Sequence, residues 1–329
     1  MKRLLIMKKV KKMKRKNKIL RKARFFIMFI ASNKYLLYTK TNNNRGEEMT
    51  VRELLKYGEK KALDNNKEVS AIKLLLMHYL EKESHELILN MDMIVEEEKV
   101  KKFMEGVSLY IDKNIPVQYI MGYGYFYGYK FFVDRDVLIP RFETEELVTN
   151  VLEKYDNYFQ EQIVNVVDIG TGSGAIAITL SLEEKKMIVD ATDISEKALH
   201  VAQKNADNLR ANVNFYQGDL LEPLIKLHKK YDILVSNPPY IPNEEYVESL
   251  VKDNEPNIAL FGGNEGIDFY ERILERAHLI LKPKNMIAFE HGWNQKDKLH
   301  ELIKRYFPNS KFETLKDING KDRITIIYN

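Results

Sequence analysis

The spacing of apolar residues changes partway along the chain, and the change divides it. Thr50, with Glu53 three positions on, has the arrangement of a helix-capping box and predicts a helix running to about Leu63. Ile72, Leu75, Leu76 and Tyr79 recur at helical spacing within residues 70–80, and Val100, Phe103, Met104, Val107 and Ile111 do so within 96–111. Residues 49–115 therefore predict a small helical domain. The stretch 119–133 is rich instead in aromatics and glycines (Gly122, Gly124, Gly128), so 116–140 reads as a hairpin-like linker. Beyond it, apolar runs at 163–169, 187–191, 213–216, 231–235 and 286–290 have the length and continuity of buried parallel strands. Helical patterns at 175–182, 196–209 and 267–281 lie between them. Two last strands, 311–315 and 323–328, flank a turn at Asn319-Gly320. Residues 141–329 thus predict a doubly wound α/β sheet with an antiparallel strand at its edge.

Composition sharpens this picture in two ways. A length of 329 residues fits about two domains, and 44% apolar residues can fill their cores. The absence of cysteine removes disulfides, thiolate catalysis, cysteine-bound zinc and iron–sulfur clusters, and points to a reducing compartment such as the cytoplasm. The seven histidines show no metal spacing, so no metal is expected.

Charge is unevenly placed. The net +4 hides a segment, 1–48, with 16 Lys and Arg against two acids, Glu47 and Glu48; the remainder holds 36 basic and 46 acidic residues, a net of −10. An acidic body disfavours tight nonspecific phosphate binding. Segment 1–48 lacks a clear signal-peptide cleavage site, and Lys34 interrupts its apolar run well short of a membrane span. A basic nucleic-acid arm is one reading. The other is a translated leader: Arg45-Gly46-Glu47-Glu48 can be encoded by purine-rich codons like those of a ribosome-binding site, and Met49 stands directly before the first capped helix.

Two loops carry the chemistry. Val166-Val167-Asp168-Ile169-Gly170-Thr171-Gly172-Ser173-Gly174-Ala175 joins the first strand of the sheet to its helix. Glycines there let the backbone turn tightly and approach a ligand closely. Gly170-x-Gly172-x-x-Ala175 also fits a dinucleotide fingerprint, so the loop alone indicates only a nucleoside cofactor. Asp193, at the end of the second strand, can accept hydrogen bonds from ribose hydroxyls. Asp219, at the end of the third, can accept one from an adenine amino group with Leu220 against the ring. Asp168 fits equally well as a carboxylate that orders the loop.

The second loop, Ser236-Asn237-Pro238-Pro239-Tyr240, comes after the fourth strand. Its two prolines end the strand and stiffen the loop. The Asn237 side-chain oxygen and a neighbouring carbonyl supply two acceptors for a planar –NH2 group, and Tyr240 can stack on the amide or base that bears it. Such a pair suits an amine directed at an electrophilic methyl on a sulfonium, a transfer governed by orientation. A strand-terminating role for the prolines, with Tyr240 in the core, is the plainer alternative.

Together these loops resemble the amino-methyltransferase branch of the S-adenosylmethionine-dependent enzymes. Within that branch, Pro116-Val117-Gln118-Tyr119-Ile120-x-Gly122, Phe126-Tyr127-Gly128 and Val137-Leu138-Ile139-Pro140-Arg141-Phe142-Glu143-Thr144-Glu145 are similar to the linker and helix start of the protein glutamine-N5 methyltransferases. Glu255-Pro256, Ala259-Leu260, Gly266 and Glu290-His291-Gly292 agree with the same family. The resemblance spans 50–329 and implies a seven-stranded Rossmann-like methyltransferase sheet behind a helical substrate-recognition domain. It implies S-adenosyl-L-methionine as cofactor, contacted by Gly170, Thr171, Gly172, Ser173, Gly174, Asp193, Asp219 and Asn237. It implies that Asn237, Pro238, Pro239 and Tyr240 bind the substrate amide, with Asn237, Pro238 and Tyr240 in the catalytic role. The substrate implied is the Gly-Gly-Gln glutamine of peptide chain release factors. Phe142 stands where the family usually has proline, which leaves the shape of that helix start open.

Arg141, with Glu143 and Glu145, fits either the methionine end of the cofactor or a helix-terminal charge cluster. His291 is expected to be structural, and Trp293 to be a packing residue. A monomer without membrane or stable nucleic-acid partners is expected. The rival readings are methylation of an exocyclic amine of DNA or RNA, with the base flipped into the same loop, and a noncatalytic nucleic-acid-binding protein. A dinucleotide oxidoreductase would need a hydride-transfer site, which the chain does not supply.

Overall fold

Thr50 caps the first helix of the computed structural model, which describes residues 48–160 and 162–329; the readings for 1–47 lie outside the described residues. The capping box is formed in both directions, with Glu53 Oε2 accepting from Thr50 N at 2.8 Å and Thr50 Oγ1 accepting from Glu53 N at 3.3 Å. This helix, Val51–Asp64, packs with Val69–Leu80 and Glu97–Ile111 around the fully buried Leu54, Ile72, Leu75, Phe103 and Val107. The short helix Ser84–Leu89 and a two-residue antiparallel pair, β1 (Met49–Thr50) with β2 (Ile94–Val95), are too brief to leave a readable period.

The helical turn Val117–Met121 leads into a hairpin of β3 (Tyr123–Phe126) and β4 (Tyr129–Phe132). Tyr127 and Gly128 both have positive φ, the requirement of a tight two-residue hairpin turn. Phe126 and Phe131 meet edge-on and enter the core of the sheet. Buried Asn205 ties the hairpin to the glycine loop: its Oδ1 accepts from Phe132 N, while Nδ2 donates to Phe132 O and Ser173 O.

The main sheet has β5 (Val164–Ile169), β6 (Met187–Asp193), β7 (Val213–Gln217), β8 (Tyr231–Ser236), β9 (Leu281–Glu290), β10 (Lys311–Lys316) and β11 (Asp322–Tyr328), in the order β10-β11-β9-β8-β5-β6-β7. Strands β5 to β9 are parallel, and β11 runs antiparallel to both neighbours. The reversed strand therefore lies one place in from the edge, which corrects the expectation that it forms the edge. Burial explains this: Ile324, Ile326 and Ile327 of β11 are fully buried, whereas β10 has no buried residue and takes the margin. The helical pattern expected over 267–281 divides into the helix Asp268–Ala277 and the start of β9 at Leu281.

Side chains alternate between faces with the strand period of two. Val166, Ile233, Val235 and Ile326 face a core shared with the helices Phe142–Phe159 and Ala175–Glu183; Val167, Leu234, Ile287 and Ile327 face one shared with Asp268–Ala277 and Lys296–Tyr306. The chain builds outward from β5 through β6 to β7, then returns to start β8 on the other side of β5. That reversal opens a crevice beyond the carboxyl ends of β5 and β8, where doubly wound sheets bind ligands.

Candidate active site

A cavity of about 280 Å³ occupies this crevice. Of the residues singled out from sequence, Gly170, Thr171, Gly172, Ser173, Asp193, Asp219, Asn237, Pro238 and Pro239 line it. The glycine loop is held from behind, because Gly170 N and Thr171 N both donate to Thr192 O at 2.9 Å. Gly170 and Gly172 have φ of +75° and +56°, and a Cβ on either would meet nothing within 4 Å. Side chains at those positions would stand in the space a ligand needs.

Asp193 serves both loop and cavity. Its Oδ2 accepts from Gly172 N and its Oδ1 from Ser195 N, each at 2.9 Å. Burial raises its pKa, and these backbone bonds oppose the rise. Asp168 is fully buried, and burial pushes it up to about 7 although Thr171 Oγ1 donates to its Oδ2 at 2.6 Å. Its Oδ1 has no hydrogen-bond partner, leaving an unused acceptor beneath the glycine loop. Asp219 pairs with Arg272, and both line the far wall beside Leu220, whose carbonyl accepts from Thr192 Oγ1 at 3.0 Å.

Two of the expected residues stand outside the cavity lining. Gly174 does not line the cavity: its N–H is committed to Thr171 O, and a Cβ there would collide with Ile178 and Ala202, so it serves helix packing. Tyr240 also stays out of the lining, with its ring packed on the second core. Burial pushes its hydroxyl up to about 12, so it remains a neutral phenol.

The Asn-Pro-Pro-Tyr loop is stiff and braced. Ser236 Oγ donates to Ile169 O at 2.6 Å, locking the ends of β8 and β5 together. Asn237 Nδ2 donates to Thr144 Oγ1 at 3.1 Å, which leaves Oδ1 as the acceptor available to a ligand. On the other side, a Cβ at Gly262 would overlap Pro239 O, and one at Gly266 would overlap Tyr240 O. Buried Gln295 spans the gap, donating from Nε2 to Tyr240 O at 2.7 Å and to Glu265 O and Gly266 O at 3.1 Å.

Arg141 lines the cavity paired with buried Glu255 at 2.6 Å; Glu255 also accepts from Ile139 N. Its partner is thus neither Glu143 nor Glu145. Phe142 occupies the first position of its helix, where proline is also favoured, and its ring is exposed. His291 is fully buried between Gly292 O and Thr325 Oγ1, and burial pushes it down to about 4, so it is a neutral structural histidine. Trp293 is 58% exposed, which corrects its expected packing role. Asn205 and Gln295 were not singled out from sequence, and Thr144 entered only as one residue of the helix-start motif; a lone polar residue in a helix or loop carries no period that could mark it.

The reversed β11 within a seven-stranded doubly wound sheet, with a glycine loop and acidic strand ends around one cavity, defines a Rossmann-like methyltransferase. Residues 146–255 match the family model for the methyltransferase small domain, and 53–122 that for the PrmC N-terminal domain. The chain is 44% identical over 278 residues to the release factor glutamine methyltransferase of Bacillus cereus, covering 84% of this chain and 98% of that one. Against the protein of the same name from Bacillus subtilis it is 46% identical over 277 residues, covering 83% and 96%. The chain belongs to the release factor glutamine methyltransferase family.

Proposed function

We propose that this enzyme transfers the methyl group of S-adenosyl-L-methionine to the side-chain amide nitrogen of the glutamine in the Gly-Gly-Gln motif of peptide chain release factors. The observation that carries the reading is the convergence of the glycine loop, Asp193 and Asn237 on one cavity, in a chain 44–46% identical to release factor glutamine methyltransferases.

The cofactor would supply an electrophilic methyl on a sulfonium. Gly170 and Gly172 leave the space for it, Asp193 offers acceptors to its ribose, and Leu220 with Asp219 borders its base. Asn237 Oδ1 and a carbonyl of the proline pair accept the two hydrogens of the glutamine amide and fix its orientation. Those bonds strengthen as positive charge gathers on the nitrogen, so they lower the barrier more than they strengthen substrate binding. The nitrogen sheds its proton after transfer, and no strong base is required. The helices of 49–115 are assigned to recognition of the release factor. The enzyme is read as a cytoplasmic monomer without a stable nucleic-acid partner, and the −10 charge beyond residue 48 supports the last of these. No helix among the described residues is long and apolar enough to cross a membrane.

Tritiated-methyl transfer to purified release factor, DNA and RNA in parallel tests this. Label is expected on the release factor glutamine. Label on nucleic acid alone would overturn the assignment.

A further inference from the structure

Asn237 can perform its proposed task only one way round. Its amide is nearly symmetric in shape, and a half-turn of the terminal torsion would replace the acceptor Oδ1 with the donor Nδ2. Something must therefore choose between the two orientations before substrate arrives.

The choice is built from two other elements, one of which, through Thr144, also reaches the cavity wall. Thr144, in the first turn of the helix Phe142–Phe159 and only 5% exposed, accepts from Asn237 Nδ2 through Oγ1 at 3.1 Å. Glu290, the last residue of β9, is buried, and the neighbouring polar side chains of Thr144 and Asn237 oppose the rise in its pKa that burial causes. Its Oε2 has no partner at all, so the carboxyl has acceptor capacity to spare. Arg323, Arg141, Glu143, Tyr240 and Tyr270 are other charged or titratable groups around this pocket. With Asn237 as observed, Nδ2 donates to Thr144 Oγ1. A threonine hydroxyl can also donate, so it selects this orientation when its proton is turned to the spare acceptor of Glu290; a flipped Oδ1 would then face a lone pair, and a buried amide donor would lose its partner, which is costly.

We propose that Thr144, backed by Glu290, is a positioning residue that fixes the orientation of Asn237, so that Oδ1 and not Nδ2 meets the substrate amide hydrogen. This rests on the function proposed above. Thr144 acts through Asn237 and needs no contact with the reacting atoms.

The test compares wild type with Thr144→Val, which keeps the shape without the acceptor, Thr144→Ser, which keeps the hydroxyl, and Glu290→Gln, which adds a competing donor. Cofactor affinity is read by calorimetry, and methyl transfer in a single turnover from saturated enzyme to release factor. Thr144→Val should lower the transfer rate on the order of tenfold, as expected for one lost orienting hydrogen bond, with cofactor affinity preserved. Thr144→Ser should restore most of the rate, and Glu290→Gln should lower it. Unchanged transfer in Thr144→Val overturns the assignment, as does a loss of cofactor affinity that accounts for the whole loss of rate, or a serine variant as slow as valine. Wild-type enzyme that fails to methylate release factor would instead sink the functional reading, so the two failures are distinct.

Discussion

Asp193 holds Gly172 N and Ser195 N with its two oxygens while forming part of the cavity wall, so one carboxylate both shapes the loop and faces the ligand. Removing it should affect both. Asp193→Ala is expected to weaken S-adenosylmethionine binding by about 1.5–3 kcal/mol, the range for hydrogen bonds to a charged group. Asp193→Asn, which retains one acceptor, should lose less. Calorimetry checks the order, and unchanged affinity in the alanine variant would misplace the cofactor. At Asn237 the expected loss is kinetic: Asn237→Ala should slow methyl transfer by about 10²–10³, the usual effect of removing one transition-state hydrogen bond. Release factor affinity should survive, because a four-residue loop supplies little of a protein contact surface. A variant with normal single-turnover transfer and only a raised dissociation constant would contradict this. Both residues were legible in the sequence because they sit in loops whose composition is unusual, glycines after one strand and prolines after another. Thr144 stood in a quoted motif but its role was not legible, since a threonine in the first turn of a helix is ordinary on local grounds and gains its meaning from a loop 93 positions away.

At the scale of elements, the Asn-Pro-Pro-Tyr loop depends on a second loop packed against it. The isolated bridge between Ile241 and Phe261 joins the two, Gly262 and Gly266 allow the backbones to touch, and Gln295 at the start of the helix Lys296–Tyr306 pins both. Gln295→Leu would fill the same space without the hydrogen bonds and strand Tyr240 O, Glu265 O and Gly266 O. A cost of about 1–3 kcal/mol in unfolding free energy is expected, with slower methyl transfer because the loop loosens. Chemical denaturation and rate measurements on one preparation would show it; stability equal to wild type would mean that the brace is dispensable. None of this packing has a one-dimensional signature. Long elements did: the helix Glu196–Leu209 and the five parallel strands are readable from periodicity, because burial of a face repeats every turn or every second residue. Order within the sheet depends on which strand buries more, and here the more apolar β11 took the inner place from β10.

Across the whole molecule, the two cores leave acids and a histidine at their margins in protonation states set by burial, and pH should act on the fold through them. Burial raises Glu290 from its ordinary 4.5 to about 7, and Asp168 from 3.8 to about 7. Such groups favour the folded state in their neutral form. Their contribution is complete below the unfolded pKa and disappears as pH rises through the folded one. His291 is displaced the other way, from 6.5 to about 4, so its contribution is present above 6.5 and is lost as the medium becomes acid. Between pH 5 and 8 the two acids therefore dominate this set, and cofactor-free enzyme should lose stability over that interval. For Glu290 alone the displacement corresponds to on the order of 3 kcal/mol. Glutamine cannot ionise, so Glu290→Gln should lack this component, and its unfolding free energy should fall less steeply from pH 5 to 8 than that of wild type. The difference between the two proteins should thus shift in favour of the variant as pH rises, even if the variant starts out less stable. Denaturant titrations at several pH values measure that difference directly. Parallel curves would show that Glu290 is ionised throughout, and that its neighbours Arg323, Thr144 and Asn237 outweigh burial.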